Sequence, residues 1–262
     1  MLIPLEKNVE KLVKLLLQLI KFDSKDHLVL RTCIMTLFNH YGGGFIMKLG
    51  GRGGSHTNQT GLPFEKRSNL ADNLKTDLSE QYSLIPYQFN DSSNKSKALT
   101  YNVIRLADKT RVGIIAQKHQ FYRVLDQEFS MYNVNHKEWQ PDEAFINLEN
   151  KTVYIVEKKW QQTSGSVDEK IFGFVNKRRL YQEIFNQQQI DEPKIAVEFA
   201  AMFNSSYWIY AMSKAEISAA PDENMFTNKR KQNNHYQDYF NNLRIDGIKI
   251  FFDVYDYSWF GL

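Results

Sequence analysis

Apolar residues recur at two spacings along this chain, and the switches between them divide it into parts. Leu5, Val9, Leu12, Val13, Leu16, Leu17 and Ile20 fall on one face at helical spacing, with Lys11, Lys14 and Lys21 elsewhere. A second helix is predicted from Asp23 or Ser24 to Asn39, ended by Gly42-Gly43-Gly44, because successive glycines do not propagate a helix cheaply. A third opens at Leu62-Pro63 and runs through Leu74, with the proline well placed in its first turn. Between Ala98 and Ile115 the pattern turns to strands, at Tyr101–Ile104 and Val112–Ile115. Helical spacing returns over 117–128 through Phe121, Val124 and Leu125. A β-hairpin is predicted across 142–159, turning at Asn147–Lys151 and returning along the apolar run Thr152–Val156. Beyond it come a helix over Ser166–Asn186 and strands at Ile195–Met202 and Tyr207–Met212. A polar excursion over 214–236 and a last strand, Gly247–Val254, complete the series. Helices first, then strands mixed with helices, argue a mixed α/β (α+β) fold.

Length permits a sizeable core, and composition narrows the class. The chain has 262 residues, 42% of them apolar and 24% charged, which is ordinary for a globular protein. A net charge of +3 permits a polyanionic partner without demanding one. The single cysteine, Cys33, excludes an internal disulfide and a multi-cysteine zinc site. It lies in a helical apolar pattern, so a buried inert thiol is preferred to a nucleophile. No stretch has the roughly 18 uncharged apolar residues of a membrane span, and the N-terminus lacks a signal peptide's cleavage region. A cytoplasmic location is the expectation. One domain is expected, with an N-terminal helical segment at 1–45, a core at 60–212 and a C-terminal excursion with its strand at 213–262.

The chemistry concentrates on the hairpin. Strand alternation puts Glu157 and Lys159 on one face and Lys158 on the other. Asp142, which follows Pro141, lies fifteen residues before Glu157, far enough for a strand, a turn and a return. Two carboxylates brought together in this way make a hard oxygen site suited to Mg²⁺, which neutralises charge on a phosphorane-like transition state and acidifies a bound water. An ammonium beside them should keep its proton, so Lys159 is assigned positioning and electrostatic work rather than general-base work. Other acid-x-Lys triplets occur, led by Asp23, Glu149 and Asp168. Only Glu157 ends an apolar β-branched run, and a solvated strand end is the rival explanation.

The stretch Pro141–Gln161 resembles the active-site motif of the PD-(D/E)xK nuclease superfamily. The resemblance puts the first acid at Asp142, the second at Glu157 and the lysine at Lys159. It implies Mg²⁺ held by both carboxylates and the backbone carbonyl of Lys158, on a central mixed β-sheet flanked by helices. It also matches Glu65, in Gly61-Leu62-Pro63-Phe64-Glu65-Lys66-Arg67, to a helix glutamate before the core sheet; a solvated helix-start residue is the other reading. Gln161 continues the Glu157/Lys159 face toward the phosphate or water. The segments Gln117–Tyr122 and Glu157–Lys170 are similar to bacterial type II restriction endonucleases, which implies a bacterial, site-specific, double-stranded DNA cutter. Palindromic targets would favour a homodimer. The alternatives are a repair or structure-specific nuclease of the same core and a non-catalytic DNA-binding protein.

DNA-contact candidates are basic. Arg52 and His56 lie in the glycine-rich segment Gly50–Gly61, which has neither a P-loop ending nor dinucleotide-fold spacing. Lys118 and His119 precede the 121 helix, and Lys95, Lys97, Lys177–Arg179 and Lys229–Lys231 complete the set. Most such side chains contact phosphates or solvent rather than bases. His119 is read as structural or as a DNA contact. The aromatic tail Phe251–Phe260 is read as core or dimer interface, with base stacking the sharper alternative.

Overall fold

Seven strands build one sheet whose spatial order is the chain order, β1 to β7. The computed structural model describes residues 61–90, 99–134, 138–163, 170–188, 194–219 and 234–262, all within the unit Gly53–Leu262. The helices predicted before Asn39, Cys33 and the glycine-rich segment up to residue 60 lie outside the described residues.

β1 (Tyr82–Pro86), β2 (Tyr101–Arg105), β3 (Arg111–Ala116), β4 (Glu143–Asn147) and β5 (Thr152–Lys159) pair antiparallel as a meander. β6 (Ala196–Phe203) and β7 (Ile248–Phe252) then continue parallel to β5. The sheet is therefore mixed, and β5 is where its sense changes. β3, β4 and β5 are buried along nearly their whole lengths, which is why they read as continuous apolar runs. Gly113 is needed in β3: a Cβ there would lie 2.4 Å from the Phe145 ring and 2.7 Å from the Ile146 carbonyl oxygen.

Helices cover both faces. α1 is Leu70–Asp77, α2 Gln120–Phe129, α3 Phe174–Gln188, α4 Ser205–Trp208, α5 Lys214–Ala219 and α6 Gln237–Ile245. On one face Ile114, Ile146, Ile155, Phe199 and Phe203 pack with Phe121 and Val124 of α2, Phe174 and Ile184 of α3, and Phe240 of α6. On the other, Val112, Phe145, Val156 and Met202 pack with Phe64, Leu70 and Leu74, and with Phe251, Tyr255 and Phe260 from the end of the chain. The aromatic tail is thus core.

The structure departs from the sequence pattern in several places. The helix expected over 62–74 is broken: 61–67 is helical, Ser68 and Asn69 interrupt, and α1 starts afresh. The Asn69 side chain accepts the Asp72 N–H at 3.0 Å, so an N-cap outcompetes continuation. The strand expected at Tyr207–Met212 is instead α4 and a turn, with Trp208 buried against Phe203 and Phe240. A short apolar run has no period that separates strand from helix. The sequence pattern predicts neither β1 nor α6. The helix expected from Ser166 is described as α3 only from Phe174, after a turn at 172–173.

Candidate functional site

Hairpin register decides what lies beside what. Glu143 pairs with Val156, so Asp142, one residue earlier, comes level with Glu157. Asp142 Oδ2 accepts the Lys158 backbone N–H at 2.8 Å, which fixes the carboxylate at the end of β5. Glu157 and Lys159 point to the α3 side, with Lys159 Nζ 5.6 Å from the centre of the Phe174 ring. Lys158 points to the opposite side, as alternation requires.

The Glu157 side chain is only 4% exposed. Its Oε2 lies 3.0 Å from Lys159 Nζ and 2.9 Å from Lys177 Nζ, the latter reaching in from the first turn of α3. Its Oε1 is buried and has no hydrogen-bond partner among the described residues. Lys159 Nζ also donates to the Lys158 carbonyl at 3.1 Å and lies 3.9 Å from Asp142 Oδ2. Burial opposes charge on Lys159, but attraction to Glu157 and Asp142, with the Glu157 hydrogen bond, outweighs it and raises the pKa. The lysine is therefore held as an ammonium, suited to positioning and charge stabilisation.

Asp142 Oδ1 lies 3.6 Å from Lys118 Nζ, which is also 3.9 Å from Glu65 Oε2. Glu65, from the 61–67 helix, thus reaches the same cleft as Asp142, its side chain about half exposed. Lys118 has φ 51°, a left-handed backbone conformation, and donates its N–H to the Pro141 carbonyl at 2.9 Å. That bond ties the approach to α2 to the residue before Asp142.

Under the cleft lies a buried ion pair that sequence reasoning missed. Lys158 Nζ is 3.0 Å from Glu143 Oε1, with the two side chains 4% and 1% exposed. The ammonium also donates to the carbonyls of Ser68, at 2.7 Å, and Glu65, at 3.3 Å. Glu143 accepts from the Leu70 N–H at 2.9 Å and from Gln117 Nε2 at 3.0 Å, and the Tyr255 hydroxyl contacts its other oxygen. The pair clips the broken 61–77 helical region, and Glu65 with it, to the strand that carries Glu157.

Gln161 lies two residues beyond β5 and is buried. Its backbone N–H donates to Asn204 Oδ1 at 2.8 Å, and its carbonyl accepts from Asn204 Nδ2 at 2.9 Å. His119 is partly exposed and directly precedes α2. Arg178 is engaged structurally, donating to the carbonyls of Val197 and Asp246, while Arg179 is exposed. Arg52, His56, Lys95, Lys97 and Lys229–Lys231 lie outside the described residues.

No group of three or more His, Cys, Asp or Glu side chains able to hold a metal occurs among the described residues. The donors that do converge are the carboxylates of Asp142 and Glu157 and the Lys158 carbonyl. Mg²⁺ commonly takes only one or two protein carboxylates, completing its shell with waters and substrate phosphate. The unpartnered Glu157 Oε1 is the kind of atom such an ion would satisfy, so the residues present fit it.

Residues 92–204 match the family model described as PD-(D/E)XK nuclease superfamily domain. A PD-(D/E)XK nuclease superfamily domain is present. Neither a curated protein nor a solved structure matches the chain. The nuclease-superfamily match includes Lys118, Asp142, Glu143, Glu157, Lys158, Lys159 and Lys177. Glu65 and Tyr255, which meet those residues across the sheet, lie outside it. Among the described residues no helix is long and apolar enough to cross a membrane.

Proposed function

We propose that this domain is a Mg²⁺-dependent endodeoxyribonuclease that hydrolyses phosphodiester bonds at a specific site in double-stranded DNA, in the manner of a type II restriction enzyme. Residues 60–212 are its catalytic core in one 262-residue nuclease domain, which works as a homodimer so that each strand meets one active site. The observation that carries the reading is the meeting of Asp142, Glu157 and Lys159 at the end of β5, with one buried Glu157 oxygen unsatisfied.

Asp142, Glu157 and the Lys158 carbonyl would hold the cation. Bound there, it would supply charge neutralisation at the scissile phosphate and a more acidic water. Lys159 keeps its proton and orients the attacking water or steadies charge developing on the phosphate oxygens. Glu65, through Lys118, faces the same cleft and helps orient what enters it. Gln161 would continue the Glu157/Lys159 face toward the phosphate or water, and Lys118, His119, Arg52 and His56 would contact the DNA.

Unmethylated plasmid incubated with the full chain and Mg²⁺ should yield discrete fragments, and EDTA should abolish them. Asp142→Ala and Lys159→Ala should each remove cutting by a hundredfold or more, with Asp142→Ala sparing much of the DNA affinity. Cutting that survives both changes would sink the assignment. Cleavage confined to branched DNA would turn it to a structure-specific nuclease instead.

A further inference from the structure

Glu157 carries more positive charge than one carboxylate needs. Lys159 and Lys177 both lie on Oε2, at 3.0 and 2.9 Å, while Oε1 has no partner among the described residues. The two ammoniums are not equivalent. Lys159 is held four ways: by Glu157, by the Lys158 carbonyl, by Asp142, and against the Phe174 ring. Lys177 has Glu157 as its one partner among the described residues, and its side chain is the more exposed, 28% against 18%. Its long unbranched stem starts in the first turn of α3, so it can swing outward without moving the helix.

We infer that Lys177 is a stand-in cation: it neutralises Glu157 in the metal-free protein, a divalent ion displaces it, and the released ammonium then contacts the DNA backbone. The inference rests on the metal reading of the site given above. A divalent charge on Glu157 repels both ammoniums, and the less anchored of the two departs. A scissile phosphate bound at the same metal puts an anion next to the place Lys177 has just left. Metal and DNA binding are then coupled through one side chain, each favouring the arrangement that the other requires.

Calorimetric titration of the DNA-free full chain with Mg²⁺, and separately with Ca²⁺, tests this without relying on cutting. Lys177→Met and the milder Lys177→Gln should both tighten metal binding, by roughly 5- to 100-fold, since the competitor is gone. Duplex DNA binding in Ca²⁺ should weaken in the same variants, and its log–log salt slope should fall by about one. In EDTA the slope should not change. Glu157→Gln separates metal binding at the site from displacement of Lys177. If it leaves metal affinity untouched, the metal reading of the site is wrong. If it weakens metal binding while neither Lys177 variant tightens it, the site stands and the displacement is overturned. A salt slope that falls equally in EDTA would also overturn it, making Lys177 an ordinary phosphate contact.

Discussion

Changing Lys158 to methionine should strand a carboxylate beneath the cleft. Glu143 is 1% exposed and Lys158 4%, so water cannot replace the lost ammonium. Removing one partner of a buried ion pair costs about 3–5 kcal/mol. Glu143 would keep the Leu70 N–H, the Gln117 amide and the Tyr255 hydroxyl, which pulls the cost toward the lower end. The Glu65 carbonyl would lose its donor and the Ser68 carbonyl would keep only the Tyr255 hydroxyl, a cost of about 1 kcal/mol that pushes it back. A loss of about 4 kcal/mol results, lowering the melting temperature by about 8–16 °C for a domain of this size. Adding Glu143→Gln should then help rather than hurt: it removes the uncompensated charge and keeps an acceptor for Leu70. The double variant should recover about 1–2 kcal/mol relative to Lys158→Met alone. Urea denaturation followed by tryptophan fluorescence measures all four corners of the cycle. If the two changes simply add, or the double is worse, the ion pair is not what clips the 61–77 region to β5.

Three further expectations concern the sheet and its turns. Gly113→Ala forces a methyl to within 2.4 Å of the Phe145 ring and should cost about 1–3 kcal/mol or more in denaturant titrations. Asn147 closes the hairpin turn by accepting the N–H groups of Glu149 and Asn150, at 2.9 and 3.0 Å, and donates to the Phe260 carbonyl at 3.0 Å. Asn147→Ala should cost about 1–3 kcal/mol, and Asn147→Asp, which keeps the turn acceptor but sets a buried carboxylate oxygen against the Phe260 carbonyl, should cost at least as much. The Arg111 hydrogen bonds hold the Glu128 carboxyl below its ordinary range, against the opposing effect of burial and with help from Tyr87. A depressed carboxyl stabilises the fold above its unfolded value, about pH 4.3, and that contribution fades as pH falls through the folded value. Glu128→Gln should therefore lower stability at pH 7 and flatten its decline below about pH 4.5; an unchanged acid profile by thermal melts would refute the link.

What the sequence discloses follows from what leaves a period in it. The hairpin does: Phe145, Ile146 and Thr152–Val156 are apolar and β-branched, and Asn147–Lys151 supplies the turn. From there alternation places Glu157 with Lys159 and against Lys158, as the structure has them. α6 leaves little trace, because Gln237–Ile245 buries only Phe240 and Leu243 among polar neighbours. β1 is a short edge strand of partly exposed residues ending in proline, with no alternation to detect. Glu143 gives no signal in the sequence, because a buried carboxylate at the start of a strand looks like any acidic residue until its partners are known. Lys177 reads in the sequence as one more basic DNA-contact candidate. Its place on Glu157 comes from α3, the connection between two parallel strands, which brings distant residues together by topology rather than spacing.

Strand order equal to chain order has a consequence for assembly. Each strand finds its neighbour in the segment just before it, so β4 and β5 can meet through a local turn at small loop-closure cost. Asp142 and Glu157 come together in that early step. The floor beneath them is completed from further away: Glu143 and Lys158 share the hairpin, but the Tyr255 hydroxyl that contacts Glu143 lies 112 residues further along. The two carboxylates and the hydroxyl beneath them thus differ widely in the loop closure that each contact requires. An opening fluctuation that lifts β7 and Tyr255 from the sheet would loosen the cleft while the hairpin stayed intact, so local rather than global stability sets how long the site stays in order.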